Sequence, residues 1–140
     1  MNKPVIVDAG PLVALLDASD QHHAWATEHF KAMPAPLLTC EAAIAEAFHL
    51  LRKLRPAQQK LLDWIAAGIL RFPMAIETEA APIRTSWQQY ENVPMSLADA
   101  CLVRLAELHP GSPVCTTDSD FTVYRIHRNR QIPLIHPAAE

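Results

Sequence analysis

Of the fifteen acidic residues in this 140-residue chain, four are set apart by their surroundings. Asp8 directly follows the apolar run Val5-Ile6-Val7 and leads into Ala9-Gly10-Pro11. Glu46 lies just off the inward stripe of a helix, beside Ala42, Ala43 and Leu50. Asp99 falls in the first turn of a helix that otherwise reads Leu97, Ala98, Ala100, Cys101, Leu102, and Asp118 follows Pro113-Val114-Cys115-Thr116-Thr117. Carboxylates gathered at the margin of a core are costly to keep ionised unless cations neutralise them. Hard oxygen ligands of this kind suit Mg²⁺ or Mn²⁺, which use few carboxylates and keep several waters. One or two such ions can activate a water and stabilise the leaving oxygen in phosphodiester cleavage. Each acid also has a structural explanation. Ser96-x-x-Asp99 is a capping box, Asp118 could cap a short helix, Asp120 could complement that helix's dipole, and Glu46 could be an edge residue. Asp8 is the hardest to explain that way.

The elements that must hold these acids alternate between strand and helix. Val5–Val7 reads as a buried strand, and the turn at Ala9-Gly10-Pro11 predicts a short helix over 12–16. A second helix is expected over 22–33 and a strand over 36–40, with Thr39 as N-cap of the helix whose inward stripe is Ile44, Ala47, Phe48 and Leu51. Pro56 suits the start of a helix through about 67 that Gly68 stops. Ile69–Pro73 is expected near a sheet edge, because Pro73 cannot donate to a ladder. Helices over 77–90 and from Ser96 through His109 follow, then a strand over 113–117, a short helix from Phe121 and a strand over 132–135. In open α/β sheets the working groups collect at the carboxyl ends of strands, where Asp8 and Asp118 fall. The pattern predicts an α/β fold with a parallel sheet covered on both faces, in a single domain spanning residues 1–140.

Composition narrows the classes. Half of the residues are hydrophobic and 19% are charged, which fits a globular domain and excludes disordered and collagen-like chains. No apolar run is long enough to span a bilayer and no secretory-signal pattern appears, so a cytoplasmic location is expected. Cys40, Cys101 and Cys115 are odd in number, lack C-x-x-C spacing and are expected as core residues. A net charge of −3 offers no general attraction to nucleic acid, so phosphates would have to be held locally. Arg52-Lys53-Arg55 and the tail group Arg125, His127, Arg128 and Arg130 are the places that could do so, with Arg125, Arg128 and Arg130 the candidates for RNA contact. Histidine spacing, nucleophile elbows and phosphate-cradling glycine loops give no competing signal, and Trp25, Trp64 and Trp87 are expected as core or interface anchors rather than base-stacking platforms.

Four stretches, taken in order, resemble PIN-domain ribonucleases, and most of all the VapC-type toxins of VapBC toxin–antitoxin pairs. They are Val7 through Leu16, Thr39 through Glu46, Ser96 through Ala100, and Thr116 through Phe121. The resemblance implies a three-layer α/β/α sandwich with a central, mostly parallel sheet. In it, Asp8, Glu46, Asp99 and Asp118 would bind Mg²⁺ or Mn²⁺ and catalyse RNA cleavage, with Asp120 peripheral. It also implies a homodimer and silencing by a cognate antitoxin. One departure stands out: many members carry Ser or Thr shortly after the first Asp, whereas Ala9-Gly10 supplies no hydroxyl, which leaves the positioning of water open. Two other readings remain, a non-catalytic interaction module of the same fold and a metal-dependent phosphohydrolase acting on DNA or small phosphate esters.

Overall fold

Consecutive residues of each central strand face opposite ways, and that alternation builds the layers. In the computed structural model, which describes residues 3–139, β1 (Ile6–Val7) sends Ile6 into one apolar cluster and Val7 into another. β2 (Leu37–Leu38) divides Leu38 from Leu37 in the same way, and β4 (Val114–Cys115) divides Val114 from Cys115. With β3 (Leu70–Arg71) and a last strand at Leu134–Ile135, these form a five-stranded sheet in which every pairing is parallel. The order is β3-β2-β1-β4 and then the last strand, so β1 is central and β3 is at an edge, as Pro73 requires. The expected α/β/α sandwich is the observed architecture.

Helices α1 (Ala9–Leu16), α2 (His23–Phe30), α3 (Glu41–Leu50), α4 (Arg55–Ala66), α5 (Ile76–Gln89) and α6 (Leu97–Leu108) cover the sheet. Buried residues fall on nearly every side of α6 (Ala98, Ala100, Cys101, Leu102, Val103, Leu105 and Ala106), the mark of a helix packed between other elements. Cys40, Cys101 and Cys115 are buried free thiols, as expected. Among the described residues no helix is long and apolar enough to cross a membrane.

Several expectations need correction. α1 starts at Ala9 rather than Leu12, because Pro11 lies in the first turn, where its missing N–H has no helical partner to lose. α2 ends at Phe30, short of Met33. Cys40, not Thr39, occupies the N-cap of α3, and the Thr39 hydroxyl instead donates across the sheet to the Val7 carbonyl at 2.8 Å. The short helix near Phe121 is a 3₁₀ turn over Ser119–Thr122. An antiparallel hairpin follows it, β5 (Arg125–Ile126) with β6 (Arg130–Gln131), where the sequence pattern predicts no strands. The final strand, now β7, is confined to Leu134–Ile135.

Candidate metal centre

Sheet register sets the first contacts of the site. Because Val7 pairs with Cys115, the next residues, Asp8 and Thr116, emerge side by side at the carboxyl ends of β1 and β4. The Asp8 amide donates to the Cys115 carbonyl at 3.0 Å, and the Thr116 hydroxyl donates to Asp8 Oδ2 at 2.8 Å. Asp8 Oδ1 accepts from the Ala9 amide at 2.7 Å, so the side chain caps α1 while being held between two strands. Alternation along β1 turns Asp8 to the same face as Ile6, the face covered by α6. Only 7% of Asp8 remains exposed.

Helix starts position Asp99 and Asp118 at this end of the sheet. The Cys40 thiol donates to the Ala98 carbonyl at 3.9 Å, which joins the beginning of α3 to the beginning of α6. Asp99 lies in that first turn of α6 and completes the capping box: its amide donates to Ser96 Oγ at 3.0 Å, and the Ser96 amide donates to Asp99 Oδ2 at 3.1 Å. The cap and the cluster therefore share one side chain. Asp118 follows Thr116, whose hydroxyl accepts from the Asp118 amide at 3.0 Å, so Thr116 ties Asp8 and Asp118 together. Asp118 Oδ1 accepts from the Asp120 amide at 2.9 Å, capping the 3₁₀ turn. Glu46 projects from α3 as an exposed residue.

Their charges act on one another. Burial pushes the Asp8 carboxyl from its ordinary 3.8 up to about 6; hydrogen bonds from Thr116 and Ala9 oppose the rise, while the charges of Asp99 and Glu46 add to it. Glu46 is raised by loss of water around its carboxyl, then by Asp99 and Asp118. Asp99 is raised by burial and by Asp118, against the pull of its cap hydrogen bond. Among the described residues no lysine, arginine or histidine is a leading cause of these shifts, and none of the four acids is in an ion pair.

The donor set fits a hard divalent cation. Among the described residues no three His, Cys, Asp or Glu side chains are gathered tightly enough to hold an ion as they stand. Mg²⁺ does not require that, since it keeps several waters and takes one or two carboxylates. Each Asp8 oxygen is engaged by one hydrogen bond and keeps a lone pair for a ligand bond.

Three contributors escape a reading of the sequence alone. Thr116 appears there as a strand residue and as the start of the last resembling stretch, with no role for its side chain; its position directly after the β4 pair, opposite Asp8, is the available signal. Tyr124 is buried, with its hydroxyl 2.9 Å from the Pro94 carbonyl and 3.3 Å from Asp99 Oδ2. Thr117 accounts for the departure at Ala9-Gly10: a Cβ at Gly10 would collide with the Thr117 hydroxyl. The space beside Gly10 is thus taken by a hydroxyl arriving from the β4 end.

The basic residues lie elsewhere. Arg125 Nη1 donates to the carbonyls of Thr122 at 2.7 Å and Val123 at 2.8 Å, which ties its guanidinium to the adjoining backbone. Arg128 and Arg130 are exposed on the hairpin. The amide of the adjacent His127 donates to Glu107 Oε2 at 2.9 Å, so the hairpin tip is anchored eight residues along α6 from Asp99, about 12 Å at the helical rise. The structure does not bring Arg125, Arg128 or Arg130 into the acid cluster.

Residues 5–126 match the PIN-domain family model, an interval that contains Asp8, Glu46, Asp99, Asp118 and Asp120. The chain belongs to the PIN-domain family. Among solved structures, this PIN domain is similar to the crystal structure of VapC20 from Mycobacterium tuberculosis, a sarcin–ricin loop cleaving toxin. The TM-score is 0.73 at 18% identity, over 90% of this chain and 98% of that one. At that identity the likeness is one of fold. No curated protein sequence matches the chain.

Proposed function

We propose that this PIN domain is a divalent-metal-dependent endoribonuclease that cleaves RNA phosphodiesters as the toxin of a type II toxin–antitoxin pair. The observation that carries the reading is Asp8: a carboxylate nearly removed from water, under the field of two other acids, with no protein cation to neutralise it. Membership of the PIN family supports the ribonuclease assignment.

Asp8, Glu46, Asp99 and Asp118 are the residues that would hold Mg²⁺ or Mn²⁺, with Asp120 at the periphery. When bound, the ion supplies activation of water and stabilisation of the negative charge that builds on the phosphodiester. The protein's part is positional. The Ala9 amide and the Thr116 hydroxyl each fix one oxygen of the Asp8 carboxylate, and Thr116 also ties it to Asp118. Ser96 and Tyr124 fix Asp99. A recessed acidic site receives a splayed strand more readily than a stiff duplex, so single-stranded or loop RNA is the proposed substrate class. VapC20, which shares the fold and cleaves an RNA loop, supports the same class. Arg128 and Arg130, exposed on the hairpin, would steer phosphates from outside the centre.

A cognate antitoxin and a second copy of the chain are the proposed protein partners. Leu50 at the end of α3, Leu54 just before α4 and Leu62 on α4 are exposed apolar side chains that an antitoxin could cover. An RNA substrate implies a cytoplasmic location.

The test is cleavage of a single-stranded RNA by metal-stripped protein with and without Mg²⁺, beside Asp8→Asn, single- and double-stranded DNA and a small phosphate ester. Mg²⁺-dependent cutting of RNA that Asp8→Asn abolishes is expected. Full activity in Asp8→Asn would remove the assignment. Cleavage of DNA or the ester alone would favour a phosphohydrolase, and no metal-dependent cleavage at all would favour a binding module.

A further inference from the structure

Beside the acid cluster the surface opens into a groove of about 870 Å³, walled on one side by Trp87, Gln88, Tyr90 and Glu91 and on the other by Ser96 and Asp99. Asp99 belongs to both groove and cluster, so an RNA strand whose phosphate lies at the carboxylates has its neighbouring nucleotide within reach of the groove. Trp87 is 56% exposed. Its sequence context suggests an anchor within a core or interface, yet its indole stands open to solvent at the groove wall. The volume falls in the range of small-molecule and cofactor sites.

The lining specifies what fits. No lysine or arginine lines the groove, while Glu91 and Asp99 add negative charge, so a phosphate is disfavoured there. A nucleobase suits it: the ring face stacks on the indole, and ring N–H and exocyclic amino groups find acceptors in Glu91 and Gln88. Tyr90 and Asp99, on the two sides of the groove, are already held. Tyr90 accepts from the Arg125 amide at 2.7 Å and meets the Tyr124 ring edge-on with centroids 5.1 Å apart, and the Tyr124 hydroxyl reaches both Pro94 and Asp99.

We propose that this groove receives one unpaired, amino-bearing base of the RNA substrate, stacked on Trp87 and adjacent to the scissile phosphate. The inference rests on the ribonuclease reading and assigns it a specificity subsite. Its test uses the full chain carrying Asp8→Asn, which holds RNA uncut, titrated against a fluorescein-labelled single-stranded oligonucleotide. Adding Trp87→Ala is expected to weaken binding about tenfold, Trp87→Phe to retain most of the affinity, and the salt dependence to stay unchanged because no phosphate contact is lost. An abasic nucleotide moved along the oligonucleotide should, at one position, weaken binding as much as Trp87→Ala and add nothing to it. Equal affinity for Trp87→Ala, or full additivity at every abasic position, overturns the proposal. So does a Trp87→Ala protein whose RNA affinity is intact but whose sedimentation changes, which would give this face to a second copy of the chain. If the unaltered chain cuts RNA while these results go against the groove, the subsite fails alone; if the unaltered chain cuts no RNA, both readings fall.

Discussion

Helix α6 carries two acidic neighbourhoods that are treated in opposite ways. Toward its C-terminal end Arg104 stands between Glu79 and Glu107, with Nε 2.7 Å from the first and Nη1 3.2 Å from the second. At its N-terminal end Asp99 faces Asp8, Glu46 and Asp118 with no cationic side chain among them. Where carboxylates join elements structurally, the chain provides an arginine. Where they gather at the carboxyl ends of the strands none is found among the described residues, and burial, with smaller contributions from Asp99 and Glu46, raises the Asp8 carboxyl. The contrast sets acids paired with an arginine apart from the acids proposed to take an external cation.

The largest expected effect tests the uncompensated end. Asp8→Asn should lower Mg²⁺-dependent RNA cleavage by on the order of a thousandfold, measured as single-turnover rate. The same substitution should stabilise the metal-free protein. The Asp8 carboxyl titrates higher in the folded protein than its ordinary 3.8, so its stability contribution is fully present below about pH 4 and is lost as the pH rises through about 6. At pH 7 the penalty is about 3 kcal/mol, and denaturant melts of the metal-free variant should recover much of it. A destabilised Asp8→Asn would show that the carboxylate is structural after all. The proton that burial favours also competes with metal, so apparent Mg²⁺ affinity should fall as the pH drops below about 6.

A middle-sized effect concerns the hydroxyl that fills the space over Gly10. Ala normally gains about 1 kcal/mol over Gly inside a helix. At Gly10 the sign should reverse, with Gly10→Ala losing about 1–3 kcal/mol because its Cβ meets the Thr117 hydroxyl. Pairing it with Thr117→Ala should restore most of that stability in urea melts; a Gly10→Ala single variant as stable as the parent would contradict the close approach.

How much of this is legible from sequence follows from the same places. The strand and helix order can be read because apolar runs alternate with punctuation by Pro and Gly, and Asp8 draws notice because an acid closing a buried run is chemically conspicuous. The start of α1 is misplaced because Gly10-Pro11 resembles a turn, although a first helical turn tolerates both residues. The β5–β6 hairpin is hidden because its loop, with His127 at φ 48° and Arg128 at φ 77°, has neither the Gly nor the Asn-Gly that normally announces positive φ. Thr116, Thr117 and Tyr124 reach the site through sheet register and tertiary packing, which spacing along one chain does not record.

The compensated end should answer more weakly. Arg104→Met leaves Glu79 and Glu107 half-buried without their partner, and should cost about 1–2 kcal/mol in thermal or urea melts while RNA cleavage persists. Loss of cleavage with an intact fold would blur the division between the two ends. The smallest effect is expected at Asp120, whose backbone rather than side chain holds the 3₁₀ turn; Asp120→Asn should change the cleavage rate by less than about threefold.

Calorimetric titration of the metal-stripped protein with Mn²⁺ at pH 7, for the parent and for Asp8→Asn, addresses the cation directly. The parent should bind Mn²⁺ at the carboxylate cluster and Asp8→Asn should lose at least about tenfold in affinity. Equal Mn²⁺ binding by the two proteins, or none by the parent, would contradict the assignment of these four side chains to a metal centre.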